Sequence, residues 1–126
     1  MTEIASVEPG DRSVIQSYGE GRFRISGTVF AGSVIVLADA VLAWPDGDAG
    51  NVSLEGLAPV VDADPAVEIL LVGTGDAMRP LDRDLKAALG RSGIVADAMD
   101  TGAACRTFNV LAGEDRRVAA ALTATG

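Results

Sequence analysis

Short apolar runs separated by glycines fill the chain between residues 14 and 44. Such a pattern is typical of consecutive short strands joined by tight turns. Phe23 and Ile25 alternate with arginines, which predicts a strand with one buried face. Residues 34–37 are continuously apolar, which predicts a strand covered on both faces. The N-terminal third of the chain is therefore predicted to be β-rich.

The pattern changes in the middle of the chain, where the spacing predicts a strand, a helix and a second strand. An almost unbroken apolar run over residues 67–72 ends in Gly73-Thr74-Gly75. A helix is predicted to open at Pro80 and to stop at Gly90, and residues 94–96 predict the next strand. The apolar stripe of this helix comprises Leu81, Leu85, Ala88 and Leu89. The unit spans roughly 30 residues, the size of a βαβ crossover, so two parallel strands are expected.

Two shorter segments separate these parts. Residues 46–51 are predicted to form a turn-rich loop, and Leu57 stands where an EF-hand would need its bidentate glutamate, which weighs against a calcium loop. Ser53 is predicted to cap a short helix that turns Leu54 and Leu57 inward. Pro59 is expected to end or bend that helix.

The C-terminal part is predicted to begin with a helix and leaves its last segment open. Asp100 or Thr101 is expected to cap this helix, and Gly113 is expected to end it. Its apolar stripe comprises Ala104, Phe108 and Leu111. Residues 117–124 fit either a continued helix, from their propensity, or a buried strand of small residues.

Length and composition indicate a single domain. The 126 residues are 48% apolar, enough to bury a core at a common domain size. Residues 1–13 are polar, so they are predicted to form a flexible N-terminal arm ahead of a single α/β domain over residues 14–126. The formal net charge of -8 opposes binding to nucleic acid or to anionic membranes, since both need clustered Lys and Arg.

The chain contains no histidine and a single cysteine, Cys105. The first fact excludes Ser-His-Asp, Cys-His and His-metal mechanisms, and the second excludes an intrachain disulfide and a CxxC motif. The N-terminus lacks the positive and apolar segments of a signal peptide, and no apolar run approaches the roughly 20 residues of a membrane span. We therefore expect a cytoplasmic protein without a metal or a cofactor, and a non-enzymatic function is favoured.

One crevice suited to anions is predicted at the carboxyl edge of the parallel strands, where open α/β sheets bind ligands. Glycines there let backbone N–H groups approach a ligand, a helix N-terminus offers unpaired donors, and Arg106 offers a bidentate fork. The predicted ligand-binding residues are Gly73, Thr74, Gly75, Thr101, Arg106 and Asn109. The alternative is that the glycines form a plain turn and that Arg106 lies on the surface or in an internal ion pair.

Two sharper hypotheses fit the residues less well. A Rossmann dinucleotide site would use Gly73 and Gly75, but Met78 occupies the third glycine position. Cys105 lies in the first turns of the last predicted helix beside Arg106, where positive potential lowers a thiol pKa. Because a histidine base is missing, we favour the interpretation of Cys105 as a small buried hydrophobe.

Taken in order, several of these motifs resemble one known family. The resemblance spans most of the chain and is carried by Tyr18-Gly19, Phe23, residues 32–35, Trp44, residues 69–75, residues 99–101, residues 105–109 and Arg117-Val118. The chain resembles the family of small domains that includes the mitochondrial NADH:ubiquinone oxidoreductase (complex I) assembly factor three and the adipogenesis-associated domain proteins.

The resemblance implies a three-layer α/β fold with a central mixed sheet, in addition to the β-rich N-terminal part. It makes residues 118–123 a final strand, antiparallel to its neighbours. It also implies that no enzymatic reaction is established for the family and that the characterised mitochondrial members act by association with assembly intermediates of complex I. This chain lacks their N-terminal targeting segment, which suits a bacterial cytosolic relative.

Two functional hypotheses follow. The first is a non-catalytic protein-interaction or assembly-type module, with a respiratory assembly partner implied by the resemblance. The second is a binder of a small anionic metabolite, with or without an enzymatic activity, at the edge formed by Gly73-Thr74-Gly75 and residues 101–106.

Overall fold

The computed structural model describes the backbone of residues 4–6 and all of residues 12–126. Its elements, in chain order, are β1 (Ile4–Ser6), β2 (Ile15–Gly19), β3 (Arg22–Ile25), β4 (Thr28–Ala31), β5 (Val34–Val36), β6 (Ala40–Ala43), α1 (Pro45–Asp48), a 3-10 turn (Glu55–Leu57), α2 (Ala58–Val61), β7 (Ile69–Gly73), α3 (Arg83–Arg91), β8 (Val95–Met99), α4 (Thr101–Gly113) and β9 (Val118–Leu122). Most of the predicted flexible arm, residues 1–3 and 7–11, lies outside the described residues. Within it, Ile4–Ser6 pair with β6.

A six-stranded mixed sheet forms the centre of the molecule, with the strand order β1-β6-β5-β9-β7-β8. β7 runs parallel to β8, as the predicted crossover requires. The open question about residues 117–124 is settled by β9, which is a strand. β9 is antiparallel to β5 but parallel to β7, so the expectation that it opposes all its neighbours was wrong. The reason is that α4 carries the chain back across the sheet, so β9 starts at the end where β7 starts.

Two apolar clusters cover the two faces of this sheet and make three layers. One cluster joins alternate residues of β5, β7 and β9 to α4 and to the small sheet β2-β3-β4. The other joins the remaining residues of those strands to Trp44, the 3-10 turn, α2 and α3. Because β9 is buried on both faces, all five of its residues are apolar and 4% exposed or less. The predicted three-layer α/β fold with a central mixed sheet is confirmed.

The small antiparallel sheet is the predicted β-rich N-terminal part. Phe23 and Ile25 are both 1% exposed, whereas the arginines between them face solvent, so the predicted alternation on β3 is confirmed. The turn from β3 to β4 consists of Ser26 and Gly27, with φ of 47° and 86°. Two successive positive φ values are typical of the type I′ turns that close two-residue hairpins.

Residues 45–48 form the short helix α1, although the sequence predicted a loop there. Pro45 lies in the first turn of the helix, where its missing N–H costs nothing. A Cβ at Gly47 would overlap the indole of Trp44, so Gly47 lets this turn pack directly on the buried ring. The packing that decides the helix is not visible in the local sequence, which contains only turn-forming residues.

The next segment differs from its prediction in two ways. The Oγ of Ser53 accepts a hydrogen bond from the N–H of Gly56 at 3.0 Å, so Ser53 does cap a first turn. Leu57 is fully buried, but Leu54 is 44% exposed and does not face inward. Pro59 lies in the first turn of α2 instead of ending a helix. A proline is tolerated there because the backbone N–H groups of the first turn have no acceptor within the helix.

The two longer helices begin at aspartate N-caps. α3 starts three residues later than predicted, because the Asp82 side chain accepts the N–H of Leu85. It extends to Arg91, one residue beyond the expected stop at Gly90. α4 begins after Asp100, whose Oδ1 accepts the N–H of Ala103 at 2.8 Å, and it ends at Gly113 as predicted.

Candidate functional site

The predicted crevice is at the carboxyl edge of β7, where the segment after the strand meets the start of α4. The hydroxyl of Thr101 accepts a hydrogen bond from the N–H of Gly75 at 2.9 Å and donates one to the carbonyl of Thr123 at 2.8 Å. The N–H of Thr101 in turn donates to the carbonyl of Gly75 at 2.8 Å. Thr101 is fully buried. Its polar groups therefore join β7, α4 and the segment after β9.

The glycines at this edge permit close packing. A Cβ at Gly73 would lie 3.0 Å from the Cα of Thr101 and 3.1 Å from Leu122 Cδ2, so any larger residue would push α4 away from the strand. Gly75 has a φ of +94°, which L side chains rarely adopt. The hydroxyl of Thr74 accepts the N–H of Arg79 at 2.9 Å and contacts the carbonyl of Ala77 at 2.7 Å, closing the following loop.

Asn109 and Arg106 lie elsewhere, on the part of α4 that faces the small sheet. The Oδ1 of Asn109 accepts the N–H of Ile15 at 2.9 Å, and its Nδ2 donates to the carbonyl of Ile15 at 2.8 Å. Asn109 therefore acts like a short piece of neighbouring strand along β2. Arg106 is exposed and lies beside Gly102, next to the side chain of Tyr18 from β2. A Cβ added at Gly102 would overlap the Tyr18 hydroxyl and would lie 3.3 Å from Arg106 Nη1. The structure thus brings four of the six predicted residues together and places the other two beside β2.

A cavity of about 580 Å³ opens next to Thr74 and Gly75. Gly73, Thr101, Arg106 and Asn109 do not line it. Its walls come from the loop over residues 76–82, the segment after β9 and the turn after α1. Its charged lining residues are Asp48, Asp76, Arg79 and Asp82.

Sequence reasoning missed this cavity and its one lining cation, Arg79. The available signal was a lone arginine four residues after Gly75, just before Pro80. Two of the three aspartates already have structural roles, since Asp82 caps α3 and the Oδ1 of Asp48 accepts the N–H of Ser33 at 2.8 Å. Three carboxylates against one guanidinium make the potential in the cavity unfavourable for an anion.

Cys105 packs into the apolar cluster between α4 and the central sheet and is 3% exposed. Burial raises the pKa of its thiol from 9.0 to about 12, and the nearby Arg106 opposes that rise only in part. The thiol therefore stays protonated at neutral pH. A protonated, buried thiol is a poor nucleophile, which agrees with its interpretation as a small core residue.

The described residues offer little to hold a metal or to cross a bilayer. Within residues 12–126, no group of three or more Cys, Asp or Glu side chains is placed to hold a metal ion. None of the helices in that range is long and apolar enough to cross a membrane.

Comparisons with known proteins find clear similarities. A family model described as "Protein of unknown function (DUF498/DUF598)" matches residues 15–123. A zebrafish (Danio rerio) protein named "NADH dehydrogenase (ubiquinone) 1 alpha subcomplex assembly factor 3" is 36% identical over 119 residues, covering 94% of this chain and 68% of its own length. An uncharacterized protein of Rhodobacter capsulatus is 38% identical over 121 residues, covering 94% of this chain and 92% of its own length.

A solved structure extends the similarity to the fold. The crystal structure described as an outer membrane protein from Bartonella henselae is 35% identical and superposes with a TM-score of 0.81. The match covers 92% of this chain and 98% of that protein. The resemblance inferred from the sequence motifs is confirmed by these matches.

Proposed function

Because the chain belongs to the family described as protein of unknown function (DUF498/DUF598), we propose that it is a non-catalytic protein-interaction module of the assembly type. Its proposed partners are intermediates in the assembly of a respiratory NADH dehydrogenase. The name of the zebrafish relative, an assembly factor of that enzyme's alpha subcomplex, supports this proposal.

The main support for the proposal is that the polar side chains predicted to bind a ligand already form hydrogen bonds within the protein. Thr101, Thr74 and Asn109 direct their side-chain oxygens to backbone N–H groups of the same chain. Side-chain oxygens that already accept from backbone donors of the same chain support the fold and are not free to bind a substrate. The thiol of Cys105 is likewise buried and protonated. The polar side chains of this region therefore bind the protein's own backbone. This favours a domain that acts through contacts of its surface with another protein.

The test is deletion of the gene in the cell that encodes this chain. We expect less fully assembled NADH dehydrogenase on native gels and an accumulation of its partial assemblies, both restored by the wild-type gene. The same cells should keep the activity of an unrelated respiratory oxidase, which serves as the control. An unchanged amount of assembled NADH dehydrogenase in the deletion strain contradicts the proposal.

The cavity beside Thr74 and Gly75 favours a second candidate function, the binding of a small metabolite. An anionic ligand in this cavity would bind Arg79 against the opposing charge of three carboxylates, whereas one at the edge predicted from the sequence would bind Arg106. Ligand at 100 times its Kd stabilises a protein by about 2.7 kcal/mol, which raises the melting temperature by several degrees.

A thermal-shift screen against anionic metabolites and nucleotides tests this candidate. Each hit is repeated with Arg79→Ala and with Arg106→Ala. Loss of the shift only in Arg79→Ala assigns the ligand to the cavity, and loss only in Arg106→Ala assigns it to the N-terminal turns of α4. A shift that both variants keep, or no shift with any compound, counts against metabolite binding at either place.

A further inference from the structure

The strand β4 forms an open edge of the small sheet. Ile25 and Thr28 flank a two-residue turn and are directly paired, so they occupy a hydrogen-bonded position. Antiparallel pairs alternate between bonded and non-bonded positions, and the bond from the N–H of Gly32 to the carbonyl of Gly21 continues this alternation. The N–H and C=O groups of Val29 and Ala31 therefore point away from β3. Within the described residues none of these four groups has a hydrogen-bond partner.

Two other strand edges in the molecule are protected, and β4 is not. The amide of Asn109 covers the edge of β2 at Ile15. β8 carries the exposed carboxylate of Asp97 at its middle, a charge that discourages pairing with another strand. β4 contains no charged residue and no proline, and Val29 is 55% exposed. A strand edge that is not covered and has no charge or proline can pair with an additional strand.

The outer face beside this edge carries positive charge. Arg24 lies directly opposite Val29, and Arg22 lies opposite Ala31. Both arginines are exposed, and neither forms an ion pair with a described carboxylate. They border a shallow cavity of about 400 Å³ that also includes Val29 and one carboxylate, Glu20, which pairs with neither arginine. In a chain with a net charge of -8, two adjacent unpaired guanidinium groups favour a carboxylate-bearing partner.

We propose that β4 accepts an added strand from an acidic segment of a partner protein. The main chain of that segment pairs with Val29 and Ala31, and its carboxylates meet Arg22 and Arg24. This inference rests on the proposed interaction function and adds the surface and the chemistry of the partner. Nucleic acid is disfavoured because its backbone is bound by larger clusters of Lys and Arg than these two arginines. A second copy paired through its own β4 would bring the arginines of both copies together, which repels.

Photo-crosslinking in the cell that encodes the chain tests the site. A photo-reactive phenylalanine analogue replaces Val29 in one variant, and Val95 or Val110 in two matched variants. These two valines are 69% and 60% exposed and lie on β8 and α4. We expect a protein adduct from position 29 whose attached peptide is rich in Asp and Glu, with at least tenfold less adduct from positions 95 and 110.

Other outcomes separate the two proposals. Protein adducts from position 95 or 110 alone overturn the β4 site and leave the interaction module intact. No protein adduct from any of the three positions counts against both. An adduct from position 29 with RNA, with a second copy of this chain, or with a segment poor in acidic residues overturns the acidic partner.

Substitutions combined with the photo-reactive residue at position 29 test whether the arginines and the backbone of β4 bind the partner. Arg22→Glu with Arg24→Glu should lower the adduct from position 29 at least tenfold, whereas Arg83→Glu with Arg91→Glu, the same charge change on α3, should leave it within twofold. Ala31→Pro should also lower it, because proline removes an N–H that points away from β3 and leaves the β3–β4 pairing intact. Equal adduct in all these variants overturns the proposal, and circular dichroism of each variant confirms its fold.

Discussion

The two layers that cover the central sheet carry opposite charge. The layer of the small sheet and α4, residues 12–31 and 101–117, has six basic and three acidic residues. The layer of α1, α2 and α3, residues 45–94, has four basic and nine acidic residues. The net charge of -8, taken as one number, argues against any anionic partner. Its distribution restricts that argument to one side of the molecule and leaves the other side suited to carboxylates.

Both layers pack on the central sheet through apolar clusters. The layer of the small sheet and α4, here called the basic layer, has polar contacts in addition. Within it the amide of Asn109 bonds Ile15 and Arg12 pairs with Asp115, and Arg117 pairs with Glu68 just before β7. The layer of α1, α2 and α3, here called the acidic layer, packs around Trp44 and the leucines of α3. We therefore expect the loss of a buried apolar side chain to weaken either layer strongly, and the loss of a polar contact to weaken the basic layer less.

Truncating the largest apolar contact of α4 should break the basic layer away from the sheet. Phe108 is fully buried, and Phe108→Ala should lower the free energy of unfolding by about 3–5 kcal/mol through lost contacts and a new cavity. Leu89→Ala, at a fully buried position of the acidic layer, should cost about 2–5 kcal/mol. Urea denaturation measures both. A loss below about 1 kcal/mol for Phe108→Ala would contradict the described packing.

Removing one hydroxyl should weaken the joint between β7 and α4. Thr101→Val keeps the shape of the side chain but leaves the N–H of Gly75 and the carbonyl of Thr123 without their partner, which should cost about 1–3 kcal/mol. Thr101→Ser retains the hydroxyl and should lose less. If urea denaturation shows equal losses for both, the methyl group and not the hydroxyl supports the joint.

Alkaline pH should destabilise the basic layer through Cys105. Its pKa is about 12 in the folded protein and 9.0 as the unperturbed value, so only the unfolded chain ionises between these limits. Below pH 9 both states keep the proton and Cys105 adds no pH dependence. Above pH 9 the unfolding free energy should fall by up to about 1.4 kcal/mol per pH unit. Cys105→Ala should lack this component, and parallel slopes for the two proteins from pH 9 to 11 would refute it.

The amide bridge between α4 and β2 should contribute a smaller amount. Asn109→Ala frees the N–H and the carbonyl of Ile15 at a site that is only partly buried, which should cost about 1 kcal/mol. Amide hydrogen exchange at Ile15 should accelerate more than exchange in β7. Uniform acceleration through the whole domain would show that β2 is not a locally opening unit.

Reversing charge on either layer should hardly change stability. Arg22→Glu with Arg24→Glu and Arg83→Glu with Arg91→Glu should each shift the unfolding free energy by at most about 0.5 kcal/mol, because these side chains are exposed. A loss above about 1 kcal/mol in the first pair would mean that the arginines of β3 serve folding. The basic face would then lose its main support as an interaction surface.

Local patterns predicted the elements that depend on nearby residues. The alternation on β3, the continuous burial of β5 and the caps and end of α4 follow from side-chain periodicity and from the hydrogen bonds of short polar residues. The predictions failed where packing overrides propensity. α1 forms on the indole of Trp44, although its residues are typical of a turn. The later start of α3 has a local cause, since the Asp82 side chain caps the helix at Arg83.

The candidate site shows the same division. The sequence by itself determined the α/β class, the absence of histidine chemistry, the strand that ends at Gly73-Thr74-Gly75 and the family, since these depend on composition, spacing and ordered motifs. Only the tertiary structure decided that Asn109 serves β2, that Arg106 lies beside Tyr18 and that β4 keeps an open edge. Asn109 and Ile15 are 94 positions apart, and a contact at that separation leaves no periodic trace in the chain.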